Sequence, residues 1–391
     1  MLKNIFIILI CILLLPSLNN KLCIEANENK NEAVELGVES KGCILIDVLT
    51  NKVIYEKNAD DKLYPASMTK MMGMLLILEA IEDRRIKFEQ EVTISNEASK
   101  MGGSQVYLEA GETMTIEELF KCVTIASAND AMYALAETVA GSEFQFVNTM
   151  NKKAKEIGMI NTNFNNTTGF DDKNHYSTPR DMAKLARELM FKYEQEVTKY
   201  SSLKESYIRE DTSEPFWLVN TNRLLGDYDG LDGLKTGFTQ DAGFCLTATA
   251  KRDNFRLISV VMKSNTKEIR SKDTIKLLDY GFSNYKCIKI YDKDEVIGSC
   301  SFKHARKENI PIIIKNEVYI SIKKEENIND IIKEIYIYKT SAPIKENEKI
   351  GVLKVKNSEN YYIEIDIYVK EKVEFLHWYD YFIDILMDML L

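Results

Sequence analysis

Tyr64-Pro65-Ala66-Ser67-Met68-Thr69-Lys70 runs directly into Met71 to Ile81, a stretch that is apolar on nearly every side. A proline ahead of a serine, followed by a segment with no polar face, predicts a helix start buried in a domain core. On a helix, a lysine three positions after a serine lies one turn away on the same face, so Ser67 and Lys70 are placed to touch. A serine hydroxyl is a poor nucleophile until a neighbouring base takes its proton, and Lys70 has the position of that base. Lysine is protonated in neutral water, so the role also requires desolvation or a nearby positive charge.

Two further motifs follow in order. Ser127-Ala128-Asn129 falls between the helical patterns Ile116 to Ile125 and Asp130 to Ala140, on an expected inter-helix loop. There a hydroxyl can relay a proton and an amide can hold a substrate carbonyl. Lys235-Thr236-Gly237 precedes the β-prone run Phe244 to Ala250 and reads as a strand edge lining a cleft. Gly237 lets backbone approach closely, such an edge can take a peptide as an added strand, and Lys235 is the charge that could depress the pKa of Lys70. Ser-x-x-Lys also occurs at Ser201, Ser264, Ser283 and Ser321, so the weight rests on the ordered set of three.

Over residues 33–283 the chain resembles the penicillin-recognising serine enzymes. Within them, Gly102-Gly103-Ser104-Gln105-Val106-Tyr107-Leu108, Asn166-Thr167-Thr168-Gly169-Phe170-Asp171 and His175-Tyr176-Ser177-Thr178, beside the three motifs, resemble the low-molecular-weight penicillin-binding proteins that are D-alanyl-D-alanine carboxypeptidases. The resemblance implies an α/β (α+β) catalytic domain with a central antiparallel sheet flanked by helices. It implies acylation of Ser67 with Lys70 as base, proton relay by Ser127 and substrate binding by Asn129, Lys235, Thr236 and Gly237. The backbone amides of Ser67 and Phe238 would form the oxyanion hole. The implied partners are a peptidoglycan pentapeptide ending in D-Ala-D-Ala and β-lactams as covalent inhibitors. Relatives often carry histidine where this chain has Thr168, and they vary at Phe238, so neither side chain inherits a role. Alternatives are a class A-like β-lactamase, for which no Glu-x-x-Leu-Asn segment stands between the second and third motifs, and a non-catalytic peptidoglycan-binding scaffold.

A net charge of -9 without a basic tract argues against a nucleic-acid partner. His175, His304 and His377 have no metal-ligand spacing, so neither metal nor cofactor is implied. Lys3, the apolar run Ile5 to Leu15 and then Pro16 have the layout of a signal peptide over residues 1–26. Period-two alternation over Glu317 to Lys323, Ile332 to Lys339, Ile350 to Val355 and Tyr361 to Lys370 predicts a small all-β domain at 285–371. In residues 373–391, Glu374, His377, Asp380, Asp384 and Asp388 would share one stripe of a helix. That pattern suits an amphipathic helix anchoring the protein at a membrane surface, although its stripe is acidic; the alternative is a terminal helix packed on protein.

Overall fold

The computed structural model describes residues 34–359, 361–380 and 389; the expected leader at 1–26 and most of the expected terminal helix lie outside them. The strands Gly42–Asp47, Val53–Lys57, Leu231–Thr239, Gly243–Arg252 and Phe255–Ser264 form one antiparallel sheet. Across it the order runs Val53–Lys57, Gly42–Asp47, Phe255–Ser264, Gly243–Arg252, Leu231–Thr239, so the strand carrying Lys235 is an edge. Side chains alternate between two cores, as period two requires. Ile44, Ile46, Ile258, Val260 and Met262 pack against the helical lobe, while Cys43, Leu45, Leu257 and Val261 pack with Leu277, Leu278 and Phe282 of the helix Lys267–Asn284.

The helix Lys70–Glu82 is buried continuously from Lys70 to Leu78, which explains its uniformly apolar sequence. Neighbouring helices include Ile116–Ile125, Asn129–Ala140, Glu143–Glu156 and Pro179–Lys192. Ile116–Ile125 starts in a capping box made by Thr115 and Glu118. Ser127 stands in the break after it, but Asn129 is the first residue of the next helix rather than part of the loop.

Lys267–Asn284 passes directly into the strand Tyr285–Tyr291, where the sequence changes character. The expected strands appear as Val318–Lys323, Ile332–Ile337, Lys349–Lys356 and Tyr362–Val369, around a core that includes Ile320, Leu353, Val355 and Ile367. Tyr285–Tyr291, Val296–Cys300 and Ile310–Ile313 are additional strands without a clean period-two signal. Register irregularities between Lys289 and Tyr291 and between Val296 and Gly298 interrupt the alternation in two of them. The chain after Lys372 corrects an expectation. Val373 pairs with Ile344, Phe375 pairs with Ala305, and the described helical turn starts only at Trp378. Val373 is drawn into the β-domain core, and that pairing demands extended backbone.

The β domain is joined to the catalytic sheet through the turn after Gly42–Asp47. Ser321 hydroxyl donates to Asp47, Tyr361 hydroxyl donates to Thr50 O at 2.5 Å, and Lys52 forms a largely buried ion pair with Glu359. Lys52 also sits over the rings of Tyr285 and Tyr361. Removing one partner of a buried pair strands the other charge, whereas replacing both with apolar groups is often neutral. Glu359 keeps a second ion pair with Lys323 at 3.1 Å, so Lys52→Met is expected to cost about 1–3 kcal/mol in urea unfolding, and the double variant Lys52→Met/Glu359→Met to recover most of it.

Candidate active site

Ser67 lies in a short 3-10 turn, Ala66–Thr69, immediately before the buried helix. Lys70 Nζ is 2.9 Å from Ser67 Oγ and donates to Thr168 O at 2.9 Å. Lys70 is 0 % exposed and Lys235 1 %. Burial, followed by repulsion from Lys235, holds Lys70 well below the ordinary lysine range, with Asp130 opposing. Burial alone brings Lys235 down to about 7. The base expected from sequence is thus within reach of the nucleophile and in surroundings that favour its neutral form.

Ser127 has a left-handed backbone (φ 63°), and its buried hydroxyl has no hydrogen-bond partner. Asn129 donates through Nδ2 to Gly102 O at 2.6 Å, which leaves its buried Oδ1 unpartnered. A buried polar atom without a partner costs free energy, so the Ser127 hydroxyl, which shares a cleft with Ser67, marks a position suited to a substrate atom. Asp130, the next residue, accepts from the backbone of Val106, Leu108 and Ala131 and ties the Gly102–Leu108 segment to this helix.

Two close approaches fix the turn that carries Ser67. A Cβ on Gly237 would stand 2.8 Å from Pro65 O and 3.2 Å from Ser67 N. A Cβ on Gly169 would stand 1.9 Å from Ala66 O, and Gly169 also has φ +91°. Thr236 hydroxyl donates to Thr221 Oγ1 at 2.7 Å, which ties the edge strand to the chain preceding it. Phe238 is 56 % exposed and stacks on Phe244, with ring centroids 4.4 Å apart.

Ser67, Ser127, Thr236, Gly237 and Phe238 line one cleft of about 850 Å³, together with Arg223 and Arg270. The sequence reading gave no role to Thr221, Arg223 or Arg270, which lie outside the three motifs. Gly169 and Asn166 belong to the segment Asn166 to Asp171 that resembles the family, yet their effect on the Ser67 turn arises from tertiary contact. His175, also within that similarity, is a structural group: its Nε2 is 2.8 Å from Thr69 Oγ1, its Nδ1 accepts from Asn165 N, and burial pushes it down to about 4. Among the described residues no group of side chains could hold a metal ion.

An antiparallel sheet beside a helical lobe, with a serine and a buried lysine at the head of the central helix, defines a penicillin-recognising serine enzyme. The family model described as D-alanyl-D-alanine carboxypeptidase matches residues 27–266, and that for the penicillin-binding protein 5 C-terminal domain matches 285–375. The chain belongs to the D-alanyl-D-alanine carboxypeptidase family. It is 43 % identical over 350 residues to D-alanyl-D-alanine carboxypeptidase DacF of Bacillus subtilis, covering 89 % of this chain and 90 % of that protein. Penicillin-binding protein 5 from Haemophilus influenzae superposes with a TM-score of 0.79 at 29 % identity, over 86 % of this chain and 98 % of the other. Penicillin-binding protein D2 from Listeria monocytogenes, in its ampicillin-bound form, gives 0.56 at 33 % identity, over 62 % and 97 %.

Overpacking a well-filled site typically costs about 1–3 kcal/mol. Gly237→Ala is expected to fall in that range and to slow acylation by a fluorescent penicillin, since Pro65 and Ser67 must shift. Gly169→Ala is expected to cost more in the same urea titration, because left-handed strain adds to the contact with Ala66 O.

Proposed function

We propose that the protein is a serine-type D-Ala-D-Ala carboxypeptidase that trims peptidoglycan stem peptides in cell-wall biogenesis, with Ser67 as the acylated residue. The observation that carries this reading is Lys70 Nζ at 2.9 Å from Ser67 Oγ, in a site that disfavours the ammonium form. Neutral Lys70 takes the Ser67 proton as Oγ bonds to the carbonyl carbon of the penultimate D-alanine. The carbonyl electron pair moves onto oxygen, facing the amides of Ser67 and Phe238. As the tetrahedral centre collapses, the C–N bond breaks; Ser127 Oγ gives its proton to the departing amine of the terminal D-alanine and takes in its place the proton that Lys70 received from Ser67, so that Lys70 is neutral again. Water then adds to the ester and restores Ser67.

Lys235 and Thr236 receive the terminal carboxylate, and Asn129 holds the substrate amide. Gly237 admits the peptide close to the edge strand. β-Lactams present a strained amide to the same serine, in keeping with the ampicillin-bound relative. In this reading residues 33–283 are the catalytic domain and 285–371 a spacer without chemistry of its own. Among the described residues no glutamate bonds to Ser67 or Lys70, so nothing favours the deacylation chemistry of a β-lactamase. Mass spectrometry after benzylpenicillin treatment should place the adduct on Ser67, and D-alanine should be released from a D-Ala-D-Ala peptide. An adduct on Ser201, Ser264, Ser283 or Ser321 would overturn the assignment.

The pH dependence has a defined sign. Lys70 must be unprotonated to act, so the acylation rate is expected to rise with pH as its ammonium is lost, then level off. Lys235 acts on binding instead: KM for a peptide with a free carboxylate is expected to increase above about pH 7 as Lys235 loses its charge. Arginine stays protonated, so Lys70→Arg should lower the acylation rate by about 100-fold or more, in stopped-flow labelling at any pH between 6 and 9.

The leader over 1–26 and the amphipathic pattern after Trp378 support an extracytoplasmic, membrane-associated protein. Among the described residues no helix is long and apolar enough to cross a membrane. Truncation after His377 spares Val373 and Phe375, which belong to the β domain, and is expected to release enzyme from membranes with small-peptide activity unchanged. Sedimentation of that truncated protein with membranes would place the attachment elsewhere.

A further inference from the structure

The contact that organises Lys70 besides Ser67 is a main-chain one. Its Nζ donates to the carbonyl oxygen of Thr168, the position where relatives often carry histidine. A neutral amine has two N–H bonds and one lone pair, so a fixed acceptor for one N–H limits where the lone pair can point. The direction of the Thr168 carbonyl is therefore part of the chemistry. The Thr168 side chain itself does not touch Lys70 in that contact.

Asn166 sets that direction. Its Oδ1 accepts from the backbone N–H of Gly169 at 2.7 Å and from those of Thr168 and Phe170, each at 3.2 Å. The Thr168 hydroxyl donates to the same oxygen at 3.2 Å, and Asn166 Nδ2 donates to Phe170 O at 3.0 Å. In a planar trans peptide the carbonyl of one residue and the N–H of the next point in opposite directions. Drawing the Gly169 N–H inward onto Asn166 thus turns the Thr168 carbonyl outward, onto Lys70. The preceding residue is anchored as well, since Thr167 donates through N and Oγ1 to Glu143 Oε1. Gly169 closes the assembly by packing against Ala66 O.

We propose that Asn166 is a positioning residue for the general base: it holds the Thr168 carbonyl on Lys70 Nζ and so aims the amine lone pair at the Ser67 hydroxyl. The inference rests on the reading of Ser67 and Lys70 given above. It also accounts for an amide rather than a carboxylate at this position. A carboxylate could accept the same three N–H groups, but its charge would favour the ammonium form of Lys70. The charged groups acting on Lys70 are Lys235 of the edge strand, which favours the neutral amine, and Asp130 of the helix Asn129–Ala140, which opposes it. A further anion would tip that balance.

The test follows the benzylpenicillin acylation rate of the full chain across pH, with the modified residue identified by mass spectrometry and thermal melting recorded for each variant. Asn166→Ala releases the turn and is expected to lower the plateau rate about 10- to 100-fold, because misplacing a reacting group by about 1 Å costs on that order. Asn166→Asp keeps the acceptor. It is expected to regain a plateau within a few-fold of the wild type while its rising limb moves to higher pH. A purely structural role would move both variants in step with their melting temperatures and leave the limb in place. The inference is overturned by a wild-type rate in Asn166→Ala, or by an Asn166→Asp limb that coincides with that of the wild type. Should Asn166→Ala not fold, the Asn166→Asp limb decides alone. Wild-type protein labelled on Ser67 with either overturning result sinks this inference only; wild-type protein labelled on another residue sinks the Ser67 reading and this inference with it.

Discussion

The turn that carries Ser67 is held between two glycines on separate parts of the chain. Gly169 touches the carbonyl of Ala66 from one side, and Gly237 brings the edge strand against Pro65 and Ser67 from the other. Neither site has room for a methyl group, so both segments lie as near the nucleophile as main chain can. That proximity lets peptide N–H groups and carbonyls serve the reaction where side chains would be too long. The oxyanion donors proposed at Ser67 and Phe238 and the Thr168 carbonyl on Lys70 are all backbone groups. Ala66 itself adopts φ 48°, a left-handed conformation that a non-glycine residue keeps only when its surroundings enforce it.

Burial supplies the second half of the site. Two lysines with almost no solvent contact lie near enough to interact, one of them 2.9 Å from Ser67, in a chain of net charge -9. Desolvation penalises both ammonium forms, and the Lys235 charge adds to the penalty on Lys70. In the proposed mechanism this gives a division of labour, with Lys70 neutral next to Ser67 and Lys235 as the nitrogen that pairs with the substrate carboxylate. Arg223 and Arg270 line the same cleft, and Arg270 Nε is buried with no hydrogen-bond partner.

Much of this was legible in the sequence because the three motifs are local. Each combines a reactive side chain with a spacing that secondary structure turns into proximity, and each lies where a helix head, a helix break or a strand edge was expected. The central sheet was harder to assemble, since its first two strands lie nearly two hundred residues before the other three. Asn166 and Gly169 could be quoted as part of a similarity, but their effect depends on a peptide plane and a tertiary contact that no periodicity encodes. The extended course of Val373 to Phe375 was missed for a related reason. A helical stripe beginning at Glu374 looked continuous, while the pull of the β-domain core on Val373 depends on a partner, Ile344, far back in the chain.

The placement of the β domain fits a catalytic edge that must stay open. The domain is attached through Asp47, Thr50 and Lys52, at the turn joining the two strands farthest in the sheet order from Leu231–Thr239. Among the described residues none beyond Ser271 lines the cleft. An edge strand offers unpaired backbone groups, which most proteins cover or blunt. Here the edge is occupied by substrate in the proposed mechanism, so a second domain docked upon it would compete with the peptide. Attachment at the far side, through a buried ion pair braced by Tyr285 and Tyr361, gives the domain a fixed seat away from the cleft that Thr236, Gly237 and Phe238 line. In the proposed mechanism the position of the joint matters, because a substrate added as a strand needs a free sheet edge beside the nucleophile.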